Sequence, residues 1–162
     1  MTRTAHYSSP IGPIILTYDD TALTGLRFAS PADGSNGGSI ADYSPLTACI
    51  RWLDLYFSGH RPDFTPPIDL RGTAFQQRVW RELLAIPYGQ TVTYGEIARR
   101  IGCRSAQAVG GAVGRNPIAL IVPCHRVIGS DGTLTGYAGG LERKERLLLL
   151  ERHRLGREFP AV

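Results

Sequence analysis

Residues 60–70, "HRPDFTPPIDL", divide this chain more firmly than any other stretch. Pro62, Pro66 and Pro67 have no N–H to donate and hold their neighbours extended, so neither a helix nor a central strand can run through them. Strand signals with one covering helix precede the segment, and mainly helix signals follow it. That segregation predicts an α/β fold of the α+β kind. An N-terminal domain over 1–69, ending in an extended linker at 60–69, is expected to precede a C-terminal domain over 70–162.

Three short stretches, "AHYSS", "PIILTY" and "ALTGLRF", are rich in β-branched and aromatic residues, with Pro-Ile-Gly and Asp19-Asp20 turns between them. They predict a small antiparallel sheet. "SPADGSNGGS" opens a flexible connector over 30–42 that has no capacity for a core. Ser44 as N-cap, Pro45 at the first helical position and Gly59 past the end frame a helix. Leu46, Ile50, Leu53 and Phe57 share one of its faces, so it is expected to cover the sheet.

The second half opens with Thr73 and Gln76 in a capping-box arrangement. The helix that follows places Phe75, Val79 and Leu83 on one stripe, with Trp80 and Leu84 beside it, and "IPYGQ" ends it. Thr93 and Glu96 form a second box before "YGEIARRI", where Ile97 and Ile101 face inward. Gly102 stops that helix, and Ser105 can cap "AQAVGGAVG". Helix, three-residue turn, helix is the helix-turn-helix spacing, and a winged-helix-like, mainly helical lobe with an active-site loop is expected. Ala106, Ala108, Gly110, Gly111, Ala112 and Gly114 give the last helix little stability of its own, since glycine costs about 1 kcal/mol against alanine. Small side chains allow close approach either to another helix or to a nucleic-acid backbone. Arg99, Arg100, Arg104 and Arg115 nearby favour the second.

Charge is distributed unevenly. Residues 1–70 hold four Arg against seven Asp, whereas residues 71–162 hold thirteen Arg and Lys144 against seven acids. A basic C-terminal lobe suits a polyanion. No apolar run is long enough to span a membrane, and the N-terminus has no basic-then-apolar leader pattern, so a cytoplasmic location is expected. Cys49, Cys103 and Cys124, odd in number and unevenly spaced, make no disulfide framework. Without a C-x-x-C pair, structural zinc is not expected either, nor any cofactor.

"LIVPCHRVIG" (120–129) carries the chemistry. A lone cysteine is ordinarily a small buried hydrophobe, but here Pro123 fixes the backbone before the thiol and His125 follows it. A reactive cysteine needs thiolate character, which an imidazole provides. A papain-like hydrolase would need an imidazole in direct contact with sulfur. His125 is badly placed for that on an extended chain, where neighbours face opposite ways, and His6, His60 and His153 lie in terminal or linker contexts. A water-bridged relay, with His125 as base and a carboxylate orienting it, fits better.

"PCHRVIGSDGTLTGYAGGLERKERLLLLE" closely resembles the active-site region of the 6-O-alkylguanine-DNA alkyltransferases, and the likeness extends back through "AVGG…GRNP", "IPYGQTVTYGEIA" and "FQQRVW", over residues 70–155. The resemblance implies single-use transfer of an alkyl group from 6-O-alkylguanine, and also from 4-O-methylthymine, in double-stranded DNA to Cys124. His125 would be the water-mediated base and Glu151 its orienting carboxylate. Asn116 would bond near the cysteine, and Tyr94 would help flip the nucleotide and polarise the leaving guanine. Gly136, Tyr137, Ala138, Gly139 and Val127 would wall the base pocket. Gln107, Arg104, Ala106, Ala108, Gly110, Gly111, Arg115 and Arg126 would contact DNA, with the helix in the minor groove. A monomer in solution is expected, with cooperative assembly on DNA an open alternative.

Outside that context Glu151 reads as a solvated helical carboxylate, Tyr94 as half-buried packing and Asn116 as a turn former. The chain departs from the family's pattern at Gln107, where an arginine finger usually stands, with Arg104 one turn earlier as a possible substitute. The zinc-binding set of some relatives' N-terminal domains also has no match. A helix-turn-helix regulator and a non-catalytic lesion-recognition protein are the alternatives, and Cys124 argues against the latter.

Overall fold

The computed structural model describes residues 2–33 and 44–154. Residues 34–42 of the expected connector, and the side chains of Ser44 and His153, lie outside the described residues. The chain forms two compact units, residues 1–71 and 72–162.

In the first unit, β1 (Arg3–Ser9), β2 (Gly12–Tyr18) and β3 (Leu23–Phe28) form an antiparallel sheet in that order. Ser9 pairs with Gly12 across a turn of Pro10 and Ile11. Gly12 has a φ of 126°, which side-chain-bearing residues rarely adopt, so glycine ends the turn. β2 is the central strand and the most apolar, with Ile14, Ile15, Leu16 and Tyr18 buried. α1 (Ser44–Phe57) packs on β2 and β3.

The face of α1 differs from expectation. Leu46 and Leu53 are buried as the spacing requires, but Cys49, Trp52 and Tyr56 share the interface with them. Ile50 and Phe57 are only half-buried. The Trp52 and Tyr56 rings, stacked with centroids 5.1 Å apart, bring more area to the interface than Ile50 would, and they set the rotation of the helix.

Residues 60–69 are also more than a linker. Leu23 N–H donates to the Pro67 carbonyl at 2.8 Å and Asp69 N–H to the Leu23 carbonyl at 2.9 Å, so Ile68 bridges β3 in parallel. This edge uses none of the donors that proline lacks. The expected connector likewise opens on an ordered 3-10 turn, Pro31–Asp33, where Arg27 and the Ser30 N–H bond to Asp33.

In the second unit, α2 (Ala74–Leu84) starts at Thr73, and both bonds of its capping box with Gln76 are made. Val79, Trp80 and Leu83 are buried, and the Trp80 Nε1 donates to the Ala112 carbonyl at 2.9 Å. Leu84, the last helical residue, is 40% exposed and stands outside that stripe. α3 (Tyr94–Ile101) is capped by Thr93 and ends on Gly102 at a φ of 70°. The Ser105 side chain accepts from Ala108 N–H to start α4 (Ala106–Gly114), which packs on α2 and α3 through Val109, Ala112 and Val113. Short parallel strands β4 (Val92–Thr93) and β5 (Val127–Ile128) bring the Cys124 segment beside α3, and α5 (Leu141–Arg154) follows. Among the described residues no helix is long and apolar enough to cross a membrane.

Gly72 shows how tightly α2 is seated. A Cβ there would overlap the Trp80 indole and Gln76 Oε1. The indole is packed and cannot yield cheaply, so Gly72→Ala is expected to cost about 1–3 kcal/mol, as core overpacking does. Urea denaturation of the variant beside the parent measures this.

Candidate active site

Backbone bonds set the path to Cys124. Asn116 Oδ1 accepts from Ile118 N–H at 3.0 Å, and its Nδ2 donates to the Val122 carbonyl at 2.7 Å. Cys124 N–H donates to that same carbonyl at 2.8 Å, with Pro123 between them at φ −82° and ψ 67°. This is an inverse γ-turn, for which proline's fixed φ is well suited. Just upstream, fully buried Leu120 has a φ of 69°, a left-handed conformation costing about 1–2 kcal/mol that its packing sustains.

Cys124–Arg126 then make one 3-10 turn rather than an extended run. With three residues per turn, neighbours diverge by about 120° instead of facing opposite ways. His125 and Arg126 both reach α5, where Glu151 receives them. His125 Nε2 lies 2.6 Å from Glu151 Oε2, which also accepts from Arg126 Nη2 at 3.2 Å. Glu151 Oε1 accepts from Arg126 Nε at 2.8 Å and from Gly89 N–H at 3.0 Å. Arg126 Nη1 donates to the Ile86 carbonyl at 2.9 Å, and the guanidinium lies 5.6 Å from the centre of the Tyr88 ring. His125 and Glu151 are 0% exposed and Arg126 is 7% exposed.

Burial decides the protonation states here. It works against the Glu151 charge, but His125 and Arg126 outweigh it and hold the carboxyl well below its usual range. It also pushes His125 down; Glu151 opposes this, while Arg126 and Lys144 add to it. The resting arrangement is therefore a neutral imidazole beside an ionised carboxylate and a charged guanidinium. Burial pushes the Cys124 thiol up, partly offset by a hydrogen bond with Asn116 and by the charge of Lys144. With Nε2 on the carboxylate, Nδ1 is the His125 ring nitrogen that does not face Glu151.

Lys144 escaped the sequence reading. It is fully buried, and its Nζ donates to the Val127 carbonyl at 2.6 Å and the Thr135 carbonyl at 3.0 Å. Burial lowers its pKa to about 8. The signal was present: Lys144, Leu147, Leu148 and Glu151 recur at i, i+3, i+4 and i+7, the pattern of one buried helix face.

A cavity of about 630 Å³ opens between α3, α4 and the loop before α5, lined by Tyr94, Gln107, Gly110, Gly136, Tyr137 and Ala138 among others. The Tyr94 hydroxyl accepts from Thr135 Oγ1 at 3.0 Å. The Tyr137 hydroxyl is buried with no hydrogen-bond partner among the described residues, and burial pushes its pKa well above the usual tyrosine range.

Two family models match the chain. The DNA-binding domain of 6-O-methylguanine DNA methyltransferase matches residues 74–153, and its ribonuclease-like domain matches residues 2–70. The methylated-DNA–protein-cysteine methyltransferase of Mycobacterium leprae is 50% identical, covering 91% of this chain and 90% of its own length. That of Methanosarcina acetivorans is 46% identical, covering 91% and 96%. The chain belongs to the 6-O-methylguanine DNA methyltransferase family. In structure it is similar to the Mycobacterium tuberculosis O6-methylguanine methyltransferase, with a TM-score of 0.82, 46% identity, and 100% and 97% of the two chains covered. The M. tuberculosis protein in complex with DNA gives a TM-score of 0.81 at 50% identity, over 94% and 93%.

Placed in this family's frame, the expected site residues fall into three groups. Cys124, His125, Glu151 and Asn116 meet at the 3-10 turn, while Tyr94, Gln107, Gly110, Gly136, Tyr137 and Ala138 line the cavity. Ala106 also lines it, and Ala108, Gly111, Arg104 and Arg115 are exposed on or beside α4. Added Cβ atoms at Gly111 or Gly114 would meet nothing within 4 Å, so packing inside the unit does not explain these glycines. One expectation needs correcting. Arg126 is not on a DNA-facing surface, because its charge is spent on Glu151 in the core. The Val127 side chain is fully buried, and its carbonyl, which accepts from Lys144, keeps a second lone pair. Gly139 follows the lining residue Ala138, and its carbonyl accepts from Arg143.

Acid should unfold the protein in two stages. Folding lowers the His125 pKa, so the unfolded chain binds that proton first and stability falls as pH drops below about 6.5. Folding lowers Glu151 as well, so a further loss sets in below about 4.5. His125→Asn should flatten the first limb and leave the second, as urea midpoints across this range will show.

Proposed function

We propose that this chain repairs alkylated DNA by direct reversal, transferring the alkyl group of 6-O-methylguanine, and secondarily of 4-O-methylthymine, to Cys124. The observation that carries the reading is a buried cysteine followed in the same 3-10 turn by a histidine paired with the buried Glu151, in a unit whose cavity is lined by two tyrosines. It extends to this chain the activity named for its relatives.

The thiol proton passes through one water to His125, and sulfur attacks the alkyl carbon. The S–C bond forms as the C–O bond to guanine breaks, and the released electron pair goes to the base. The Tyr94 hydroxyl accepts from Thr135, which leaves its own proton to stabilise that charge as an oxyanion-hole donor would. The product is a thioether. It has no carbonyl for water to attack, so each molecule reacts once. The lesion is reached by flipping the nucleotide out of the duplex into the cavity. The exposed small residues of α4 let a DNA backbone come close, and Arg104 and Arg115 add charge. A reducing compartment such as the cytoplasm suits a protein whose three cysteines are free thiols.

Excess duplex carrying labelled 6-O-methylguanine should transfer about one methyl per molecule and then stop. Peptide mass spectrometry should find it on Cys124. Cys49, its thiol pushed up to about 12 by burial, should stay unlabelled. Sustained turnover, or label on Cys49 or Cys103, would refute the reading.

Gln107 lines the cavity where the family ordinarily has an arginine. Glutamine offers hydrogen bonds worth on the order of 1 kcal/mol net, without charge. Gln107→Arg should raise the rate on duplex several-fold, less so as salt rises, and leave the rate on free alkylguanine base unchanged. The ratio of the two rate constants, variant against parent, is the measurement.

A further inference from the structure

Arg126 has no part in alkyl transfer as described so far, yet its geometry bears on the base. Among the described residues, donors that converge on Glu151 include His125 Nε2, Arg126 Nε, Arg126 Nη2 and Gly89 N–H. A buried carboxylate must be paired. Two partners can supply positive charge, a guanidinium that always carries it and an imidazole that carries it only when protonated. With the imidazole alone, the carboxylate would draw a proton onto the ring and keep it there. A ring already protonated cannot take the proton of the thiol.

We propose that Arg126 is a positioning residue of the relay: it clamps both Glu151 oxygens and supplies their counter-charge, so that a hydrogen bond orients His125 while the ring stays an unprotonated base. The proposal rests on the reading of Cys124 as alkyl acceptor. The groups that face His125 agree with it. From α5 come Glu151 and Lys144, and from its own turn come Arg126 and Cys124. Lys144 points its Nζ at the Val127 and Thr135 carbonyls, and Tyr88 lies against the Arg126 guanidinium. Arg126 is the cation that both Glu151 oxygens meet.

Nitrogen-15 NMR of His125 against pH, in the full chain without substrate, reads the ring directly. In the parent it should be neutral throughout the neutral range, and a protonated ring there overturns the proposal. Arg126→Met should raise its titration midpoint by about one to three pH units. The pH limb of the reaction with free alkylguanine base should move up with it. Arg126→Lys, and the double variant Arg126→Met/Glu151→Gln in which no charge is left unpaired, should each bring the midpoint back toward the parent value. Should Arg126→Met not fold, Arg126→Gln, which drops the charge and keeps a donor, carries the same test. A midpoint that stays put while stability alone falls makes Arg126 a packing residue and overturns the proposal. If the parent transfers no alkyl group, the functional reading fails instead, and the NMR result shows this separately.

Discussion

Burying a carboxylate costs several kcal/mol even after the protein relaxes around it, and Glu151 meets that cost by drawing donors from separate parts of its unit. Gly89 comes from the loop after α2, His125 and Arg126 from the turn at the cysteine, and the carboxylate itself from α5. Any of these segments that moved away would leave the charge short of a partner, a loss of about 3–5 kcal/mol for a broken buried pair. One negative charge therefore fixes where a loop, a turn and a helix stand against each other. It also fixes the plane of the His125 ring.

The nucleophile is built on the opposite principle. A reactive thiol is usually exposed in electropositive surroundings, whereas Cys124 is almost wholly buried and its thiol is held protonated. Asn116 and Lys144 pull toward the thiolate, but burial outweighs them. In the proposed reaction, activation then comes from moving the proton to the neutral His125. On the proposed single-use reaction, burial would keep the reagent unreactive until its substrate arrives.

Much of this was legible because it is local. The capping residues Thr73, Thr93 and Ser105 and the stop at Gly102 each act within a few positions of themselves, and each does in the structure what its neighbours require. The fates of Arg126 and Lys144 depend on partners 25 and 17 positions away respectively, Glu151 and Val127, and no local pattern around Arg126 announces that its charge is spent inward. The face of α1 failed for a related reason: spacing identifies an apolar stripe, but the bulk of Trp52 and Tyr56 decides which edge of it turns in. Pro123 announced a fixed backbone before the thiol without revealing that the fix is a γ-turn opening a 3-10 turn.

The outer face of α4 has a further consequence. Ala106, Ala108, Gly111 and Gly114 are exposed there, and none of them carries a side-chain donor or acceptor. Base pairs are told apart by the pattern of donors and acceptors along their edges, and these four residues, unlike Gln107 among them, have nothing with which to read that pattern. Against a duplex they would be a blind probe, indifferent to the message they travel over. Under the proposed function, discrimination would fall to the cavity, which would test one extruded base at a time by shape and chemistry. A lesion can arise in any sequence, and a helix face that reads little has no preferred address to keep it from looking everywhere.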